Sequence, residues 1–553
     1  MDVFERVRAD LLDLGACVAT PFGARRVTYA DHIASGRHIR SVERLLADAV
    51  LPLYANTHTE DSALGAHTTR LTHEAAEYVK ACLGAGPEYK LLFPGTGATG
   101  ALKRLQEILG VSVPPQHRHR LLSVLPEAER PVVFVGPYEH HSNDVTWRES
   151  LAEVVAVPLD QEGLLDLAAL DRAVSDPRFA NRPKIGSFSA ASNVTGLITD
   201  VRAVAKVLHR HGAVAVFDFA ASAPYVRLDV RPSAPGAGDH LDAVVLSPHK
   251  FLGGPGSPGL LLLHQSLYRL DSPTTPGGGT VTYVSRFDRR FVDDVEVRED
   301  AGTPAIVQKL RAALAFKVKE EIGVENIERR ERELTAQALG RLARVPGVRV
   351  LGNLEAPRLA VASFLVESGG AQLHAKFVIK LLSDLFGIQG RAGCSCAGPY
   401  GHLLLGIDDD TSRVFLRAIE AGYEGVKPGW ARLSFHYLLT DAECDFILDA
   451  VAFVAEHGHL FVREYDFDWR TGAWRHRSTP AEQHGAFEPG SWTSVTYSQR
   501  AAEEDHAAYL AEAHRLAEEL AQARGSAAGA AASPDRGAGG PEGLDPRTLW
   551  FAV

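Results

Sequence analysis

Cysteine is scarce in this sequence, with five residues among 553. So small and odd a number cannot form a disulfide framework, and it is typical of a protein in a reducing compartment. The chain also lacks any run of 18 apolar residues, and its charged start, MDVFERVRADLLDLG, has no apolar core of the signal-peptide type. We therefore expect a cytoplasmic protein that does not enter a membrane.

The sequence has fewer positively than negatively charged residues. It contains 58 lysine and arginine residues and 69 aspartate and glutamate residues, which give a net charge of −11. Such a balance offers no electrostatic footprint for nucleic acid, so we expect no partner of that kind. Hydrophobic residues at 45% and charged residues at 23% are the proportions of an ordinary globular protein. A chain of this length forms two or three structural units, and we expect it to act on a small molecule.

Short apolar runs, bounded by Gly, Pro and Asn, alternate with helical patterns over residues 90–265. The runs are YKLLF, RPVVFVG, LAEVVAVPL, PKIGSFSA, AVAVFDF, DAVVLS and GLLLLH. Strands buried on both faces, with helices between them, predict an α/β domain with a mostly parallel sheet of seven-stranded type. A ligand would bind at the carboxyl ends of those strands.

A second, smaller domain of α+β type follows a helical stretch, TPAIVQKLRAALAFKVKEEIG. Its strands are expected near VRVLG, RLAVASFLV and ARLSFHYL, and its helices near QLHAKFVIKLLSDLFG and DAECDFILDAVAFVAEHG. We predict four parts: an arm at 1–45 that contributes to the small domain, a large domain at 46–310, the small domain at 311–465, and an extension at 466–553. The extension combines a polar helix with a low-complexity stretch that we expect to be disordered.

One lysine stands directly after an apolar run. The segment DAVVLSPHKFLGGPGSPGLLLLH places Ser247, His249 and Lys250 between two predicted strands, at the edge where such a sheet binds ligands. Lysine supplies the primary amine that forms a Schiff base with pyridoxal 5'-phosphate (PLP), and burial or neighbouring positive charge makes that amine nucleophilic. An isolated loop lysine is more often simply solvated.

Four other runs add polar groups at predicted strand ends. Asp218 ends AVAVFDF and suits a pyridinium nitrogen, although a single aspartate there is usually a turn or cap residue. The turn at 95–97 in KLLFPGTGATGALKRLQEIL suits a phosphate at a helix N-terminus, although many such turns are plain connections. EHHSN offers His140 for stacking on a planar ring, and FSAASNVTG offers Asn193, while polar loop residues are the alternative.

As an ordered set, these motifs resemble the class V aminotransferase superfamily of fold-type I PLP enzymes, and within it the cysteine desulfurases and selenocysteine lyases. The resemblance spans residues 27–455. It rests on VTYADHIASG, the turn at 95–99, EHHSN at 139–143, SNVTG at 192–196, DFAAS at 218–222, SPHK at 247–250, PGGGT at 276–280, AGTP at 301–304 and RAGCSCAGP at 391–399.

The resemblance implies a role for each matching residue. Lys250 would carry the Schiff base and later move the substrate's Cα proton, His140 would stack on the cofactor ring, and Asp218 would face its nitrogen. Asn193 would lie near the ring oxygen O3' and the substrate. A homodimer with a shared active site is also implied. The phosphate would be held by Thr96, Gly97, Ser247 and His249, and by Thr280 of the partner subunit.

The segment RAGCSCAGP fits the pattern Arg-x-Gly-x-x-Cys-x-x-Pro of the desulfurases. The resemblance thus makes Cys396 the nucleophile that takes sulfur from L-cysteine, releases L-alanine and could pass the sulfur to an acceptor protein, whereas Cys394 stands too early in the pattern. Arg391 and Arg432 would bind the substrate carboxylate, a task suited to guanidinium groups. No second Cys/His pair accompanies the two cysteines, so we expect no metal. Both cysteines could also be plain loop residues.

One position departs from the family. Where Gln or His commonly stands three residues after the cofactor aspartate, this chain has Ala221, which cannot donate to the ring oxygen. The leading hypothesis is a cysteine desulfurase, and the alternative is an aminotransferase, epimerase or C–S β-lyase acting on another amino acid. A third hypothesis is a non-catalytic protein that keeps the fold for binding.

Overall fold

The computed structural model describes residues 2–479, 495–527, 541 and 544–552. None of the helices in these ranges is long and apolar enough to cross a membrane. The stretch expected to be disordered, residues 525–543, lies mostly outside them. The chain forms two compact units. The first comprises Met1–Leu12, Ile33–Arg329 and Glu355–Leu359, and the second comprises Asp13–His32, Arg330–Leu354 and Ala360–Val553.

The strands and helices are numbered along the chain. The strands are β1 Ala16–Thr20, β2 Gly23–Arg26, β3 Thr28–Tyr29, β4 Tyr89–Leu92, β5 Val132–Val135, β6 Glu153–Ala156, β7 Lys184–Ser189, β8 Val214–Asp218, β9 Ala243–Leu246, β10 Leu260–His264, β11 Val281–Val284, β12 Arg289–Phe291, β13 Val348–Val350, β14 Val361–Ser368, β15 Ala371–Gln372, β16 Ile388–Gln389, β17 Arg391–Gly393, β18 Trp430–Ser434, β19 Tyr465–Asp468, β20 Ala473–His476 and β21 Thr496–Tyr497. The helices are α1 Val3–Ala9, α2 Arg40–Leu45, α3 Ala63–Cys82, α4 Gly97–Ile108, α5 Pro115–Val124, α6 His141–Arg148, α7 Leu167–Val174, α8 Val201–Arg210, α9 Val295–Arg298, α10 Ile306–Ile322, α11 Val324–Leu342, α12 Ala375–Phe386, α13 Gly398–Leu405, α14 Asp409–Glu420, α15 Asp441–Phe461 and α16 Ala502–Ala527.

A seven-stranded sheet with the order β4-β10-β9-β8-β7-β5-β6 forms the centre of the first unit. Strands β6, β5, β7, β8 and β9 are parallel, whereas β10 is antiparallel to both β9 and β4. Each of the seven apolar runs forms one of these strands, so the predicted α/β fold with a mostly parallel sheet is confirmed. Strands β5 and β9 are buried along their whole length, as expected where helices flank both faces.

Helix α4 shows how sequence pattern and packing agree in this unit. Its apolar residues recur at helical spacing, and Leu102 and Leu105 are buried in one cluster with Val133 and Val245 of the sheet. Helix α8 is likewise one-sided, and it begins at Asp200, whose side chain accepts a hydrogen bond from a backbone N–H of the first turn. These helices fix the sheet whose carboxyl edge carries the predicted site.

The second unit is the predicted smaller α+β part. Its antiparallel sheet has the order β13-β14-β18-β17, and β15 pairs with β14. The predicted strands near VRVLG, RLAVASFLV and ARLSFHYL are β13, β14 and β18, and the two predicted helices are α12 and α15. Residues of the sheet and both helices share one apolar core, which includes Phe364, Leu382, Leu433, Ile447 and Val454.

Residues 13–32 belong to this second unit although they lie far from the rest of it in sequence. Strand β1 pairs with β2 and with β21. Strand β3 pairs in parallel with β16, so that Thr28 lies opposite Ile388. Ala30 is fully buried in the core of this unit. This packing fixes the backbone just before Asp31.

The carboxyl-terminal extension also packs on the second unit. Tyr509 of helix α16 is part of the apolar core, and its hydroxyl accepts a hydrogen bond from the backbone N–H of Arg26. Two ion pairs hold the same helix to strand β2, with Arg25 Nη2 2.7 Å from Glu512 and Arg26 Nε 2.9 Å from Asp505. The extension is therefore an integral layer of this unit over its described part.

A cluster of aromatic rings holds the last described residues. Phe551 packs edge-on against His374, with ring centroids 4.4 Å apart, and also lies against Phe467. Trp474 donates a hydrogen bond from its indole nitrogen to Nδ1 of His374, and Trp550 donates one to a backbone carbonyl at 3.0 Å. Both ends of the extension are thus tied to the core of the second unit.

Candidate active site

Lys250 lies at the carboxyl edge of the seven-stranded sheet, at the end of a short 3-10 turn that follows β9. The chain turns back so closely that a Cβ built on Gly254 would come within 1.8 Å of the carbonyl oxygen of Pro248. Only glycine fits there, because every other residue carries that carbon. Gly254 therefore fixes the turn that presents Lys250.

A cradle for an anion lies beside this turn. Thr96 precedes helix α4 without capping it by its side chain, and Gly97 has a φ of +56°, which an L side chain rarely adopts. A Cβ on Gly97 would lie 3.0 Å from both Ser247 Oγ and His249 Cε1, and Ser247 Oγ accepts a hydrogen bond from Ala98 N. The structure thus brings Thr96, Gly97, Ser247 and His249 together at a helix N-terminus, which suits a phosphate group.

His249 is a neutral donor in this cradle. Burial, aided by the positive charge of Lys250, lowers the pKa of His249 to about 4. The imidazole is therefore uncharged at neutral pH, and it can donate one hydrogen bond without adding a second cation beside Lys250.

Asp218 is the last residue of β8 and is only 5% exposed. Its Oδ1 accepts a hydrogen bond from Ala220 N at 2.8 Å. Burial raises the pKa of Asp218, while that hydrogen bond and the charge of Lys250 act in the opposite direction. A cationic N–H partner would act against the effect of burial by favouring the ionised carboxylate, and the pyridinium nitrogen of PLP is a partner of that kind.

His140 precedes helix α6, and its Nδ1 accepts a hydrogen bond from Ser142 N at 3.1 Å. This bond fixes the imidazole beside the carboxyl end of β5. Asn193 follows β7 in a turn that is held by Ser192 Oγ, which accepts from two backbone N–H groups. Since β7 pairs with β8 up to Asp218, the turn that carries Asn193 begins next to that carboxylate.

Glu139, the residue before His140, is a buried acid to which the sequence analysis assigned no role. Glu139 accepts hydrogen bonds from Asn143 Nδ2 at 2.7 Å and from Ser189 Oγ at 2.6 Å, and it also accepts from the backbone N–H groups of Gly136 and Ser189. Burial nevertheless raises the pKa of Glu139 to about 7. The only available signal was an acidic residue at a strand end next to two histidines.

Thr280 is fully buried just before the hairpin formed by β11 and β12. Its hydroxyl donates to the carbonyl oxygen of Gly277 at 2.7 Å, within its own loop. The loop therefore holds the Thr280 hydroxyl in place within its own subunit.

The predicted carboxylate-binding arginines lie side by side in the second unit, where β17 and β18 pair Arg391 with Arg432. Arg432 is 2% exposed, and its Nη2 lies 2.9 Å from Asp31 Oδ1, while Arg391 Nε lies 3.0 Å from Asp31 Oδ2. Burial lowers the pKa of Arg432, and Asp31 acts against that effect. The sequence reading did not assign a role to Asp31, because its partners follow it by more than 350 residues.

The two neighbouring cysteines lie in the turn between β17 and α13. The Cys394 carbonyl accepts a hydrogen bond from Ala397 N at 3.0 Å, while Ser395 and Cys396 have φ values of 50° and 57°. Two central residues with positive φ are characteristic of a type I′ turn, and L residues with side chains are strained there. Both thiols are exposed, and strain of this kind clusters at functional sites.

Of the described residues, only His209, His240 and Asp242 have ligand atoms close enough to share a metal ion, within 4.8 Å of one another. They lie at the amino end of β9, opposite the end that leads to Lys250. His209 Nε2 lies 2.8 Å from Asp242. Burial acts to lower the pKa of His209, but its hydrogen bonds to Asp242 and Gly238 outweigh it, so the pKa is raised. His209 and Asp242 are thus hydrogen-bond partners of each other.

Comparison with known proteins finds a family and a set of relatives. The profile of the family Aminotransferase class-V matches residues 28–446. A probable cysteine desulfurase of Halalkalibacterium halodurans is 27% identical over 377 residues, which cover 68% of this chain and 84% of that protein. Another of Streptomyces coelicolor is 28% identical over 430 residues, covering 78% and 92%.

Solved structures with the same fold are also found. The apo structure of a cysteine desulfurase from Thermococcus onnurineus NA1 superimposes with a TM-score of 0.65 at 24% identity and covers 82% of this chain and 98% of that one. The cysteine desulfurase CsdA from Escherichia coli gives a TM-score of 0.60 at 22% identity, covering 81% and 97%. At these identities the likeness establishes the fold.

Proposed function

Since the chain belongs to the class-V aminotransferase family and is a PLP-dependent enzyme, we propose that it is a cysteine desulfurase that acts through Cys396. The observation that carries the proposal is an exposed thiol in a strained turn directly after the strand of Arg391. Relatives named probable cysteine desulfurases support it.

The residues of the first unit fit PLP. The phosphate would lie at the N-terminus of α4, against Ser247 and the neutral His249, and Asp218 would pair with the ring nitrogen. Lys250 would hold the cofactor through its amine, and His140 would lie against the ring. When bound, PLP supplies an electron-withdrawing ring that stabilises negative charge on the substrate carbon atoms.

Substrate binding and proton transfer follow from the chain's own groups. Arg391 and Arg432 would bind the α-carboxylate of L-cysteine as donors of charge-assisted hydrogen bonds, and Asn193 would contact the substrate. The Lys250 amine would accept the proton from the substrate Cα. Both arginines already face the carboxylate of Asp31, so the substrate carboxylate would share or replace that partner.

Sulfur transfer balances without an external oxidant. The Cys396 thiolate attacks the sulfur of the substrate, the bond between that sulfur and Cβ breaks, and its electron pair goes to Cβ. Protonation there gives L-alanine, and the sulfur remains on Cys396 as a persulfide. A sulfur-acceptor protein is the proposed recipient.

The test is to incubate the purified holoenzyme with L-cysteine and measure L-alanine and protein-bound sulfur. We expect one alanine for each sulfur transferred and no transfer by Cys396→Ser. Cys17→Ser, a half-buried cysteine that hydrogen-bonds Gly15, is the control and should match the wild type. Alanine formation with neither sulfur on Cys396 nor released sulfide would refute the proposal.

A second candidate is an aminotransferase, epimerase or C–S β-lyase that acts on another amino acid. It is favoured by Ala221, which is buried and carries no group that could donate to the ring oxygen. In that case Cys396→Ser keeps full activity on the true substrate. A panel of amino acids, analysed for alanine, oxo acids and elimination products, separates the two candidates.

We also propose a homodimer with a shared active site, which Thr280 of each subunit would reach only by giving up its hydrogen bond to Gly277 in its own loop. The hairpin of β11 and β12 supports it by exposing Tyr283, Val284 and Phe287, the last at 86%. Apolar surface of this kind marks interfaces. In light scattering, Phe287→Glu should shift the protein toward monomer. Val124→Glu, at another exposed apolar position, should not. A wild-type monomer would contradict the proposal.

A further inference from the structure

Cys394 is a second thiol in the same turn as the proposed nucleophile. It occupies the first position of the type I′ turn and Cys396 the third, and both side chains are exposed. Of the five cysteines, the remaining three are half-buried or buried. Two solvent-accessible thiols are therefore concentrated in one turn, one of them at the position proposed to carry sulfur.

The spacing permits a bond between them. Consecutive Cα atoms are ~3.8 Å apart, so Cα atoms two residues apart lie at most roughly 7 Å apart, and a turn brings them closer. Disulfides span Cα distances of about 4.4 to 6.8 Å. The backbone at Ser395 and Cys396 is already in the left-handed region. A disulfide closed across a single residue is strained, and strained disulfides are easily reduced.

We propose that Cys394 is a resolving thiol, which attacks the persulfide on Cys396 and releases sulfide. The inference rests on the proposed function. The Cys394 thiolate attacks the inner sulfur of the persulfide, the Cys394–Cys396 disulfide forms, and the terminal sulfur leaves as hydrosulfide with the electron pair of the broken S–S bond. The sulfane sulfur is the oxidant, so no other is needed. A small-molecule thiol then reduces the disulfide and resets the turn.

This second step gives the persulfide a fate that requires no acceptor protein. Sulfur that is not collected leaves as sulfide, and the turn stays oxidised until a thiol reduces it. An acceptor protein, which would take the terminal sulfur, would compete with Cys394 for the persulfide. The ratio of transferred sulfur to free sulfide then depends on the acceptor concentration.

A single-turnover experiment tests the inference directly. Anaerobic holoenzyme, reduced and freed of reductant, receives one equivalent of L-cysteine, is quenched in acid, alkylated and digested with trypsin. Cleavage after Arg391 and Arg413 yields a peptide that contains Cys394 and Cys396 and no other cysteine. Before the alkyl groups are counted, a disulfide lies about 2 Da below the reduced peptide and a persulfide about 32 Da above it. The reduced and the persulfidated peptides each carry two alkyl groups, whereas the disulfide peptide carries none. Alanine and sulfide are measured in the same sample.

In the wild type we expect the disulfide peptide, with one sulfide and one alanine per disulfide. Cys394→Ser should stop at the persulfide, with the heavier peptide and no sulfide. Cys17→Ser should behave like the wild type, and enzyme without L-cysteine should remain reduced. Dithiothreitol should return the wild-type peptide to the reduced mass.

The outcomes separate this inference from the proposed function. If no alanine forms, the desulfurase proposal fails. If alanine forms and the wild-type peptide keeps the extra sulfur without any disulfide, the inference is overturned and the desulfurase proposal stands. Sulfide release by Cys394→Ser at the wild-type level would also overturn the inference, because the sulfide would then leave by another route.

Discussion

Replacing Asp31 by asparagine removes the anion that faces two arginines in the second unit. The amide keeps the shape of the carboxylate but removes the negative charge that lies 2.9 Å from Arg432, which is 2% exposed. Arg391 is half-exposed, so its bond to the other oxygen contributes at most about 1 kcal/mol. The main effect therefore comes from Arg432.

Breaking a buried ion pair on one side costs about 3 to 5 kcal/mol. For a unit of this size each kcal/mol lowers the melting temperature by about 2 to 4 °C, so Asp31→Asn should lower it by roughly 10 °C. Asp410→Asn is the matched control, because its partner Arg413 is a neighbour on the same exposed helix surface. That change should move the melting temperature by about 1 °C or less.

A ligand carboxylate should restore part of the loss. If Arg391 and Arg432 bind the α-carboxylate of the substrate, saturating L-alanine should raise the melting temperature of Asp31→Asn more than that of the wild type, because it supplies the missing anion. Scanning calorimetry of Asp31→Asn and of the wild type, each with and without L-alanine, measures the change in melting temperature. An unchanged melting temperature would refute the electrostatic reasoning, and equal gains with L-alanine would refute the assignment of the arginines.

Three further predictions concern other parts of the molecule. Burial raises the pKa of Glu139 from 4.5 to about 7, so the folded state binds the proton more tightly, and the free energy of unfolding should fall as pH rises through this interval. When the free energy of unfolding is measured by urea titration at several pH values, E139Q should show a weaker dependence on pH than the wild type. An equal dependence on pH would count against the assignment. Gly254→Ala should displace the turn of the cofactor lysine and reduce bound PLP, measured by absorbance after gel filtration. Gly340→Ala, where a Cβ would meet only the Arg344 side chain at 3.7 Å, should not. Phe551→Ala should lower the free energy of unfolding by about 3 to 5 kcal/mol, because that ring is buried. Leu549→Ala, at a side chain that is 39% exposed, should lower it by less than half as much in calorimetry. Equal losses for the two variants would contradict the packing argument.

The sheet of the first unit was predictable because its strands carry a local signal. Each run is apolar along its length and bounded by turn residues, and the motifs that follow the runs stand at the carboxyl ends of neighbouring strands. It was the resemblance to the class V family that grouped Thr96, Ser247 and His249 before their distances were known. The proposed division of the chain at residues 45, 310 and 465 stays a prediction.

The features that the sequence did not reveal depend on distant partners. Strands β3 and β16 are only two residues long and exist because they pair with each other. Asp31 has no distinguishing neighbour in sequence, and its importance follows from arginines more than 350 residues later. Glu139 was overlooked because two of the four donors around its carboxylate belong to Ser189, 50 residues later in the chain.

The pairing of the first strands with the last helix has a consequence for how the protein is made. Arg26 and its partner Asp505 are separated by 479 residues. At about 5 to 20 residues per second, a ribosome takes roughly half a minute or more to make that stretch. Strand β2 must wait for all of that time while the first unit can already fold. During synthesis the edge of β1 that pairs with β21, and the arginines of β2 that pair with α16, therefore stay without their partners until the end of the chain has been made.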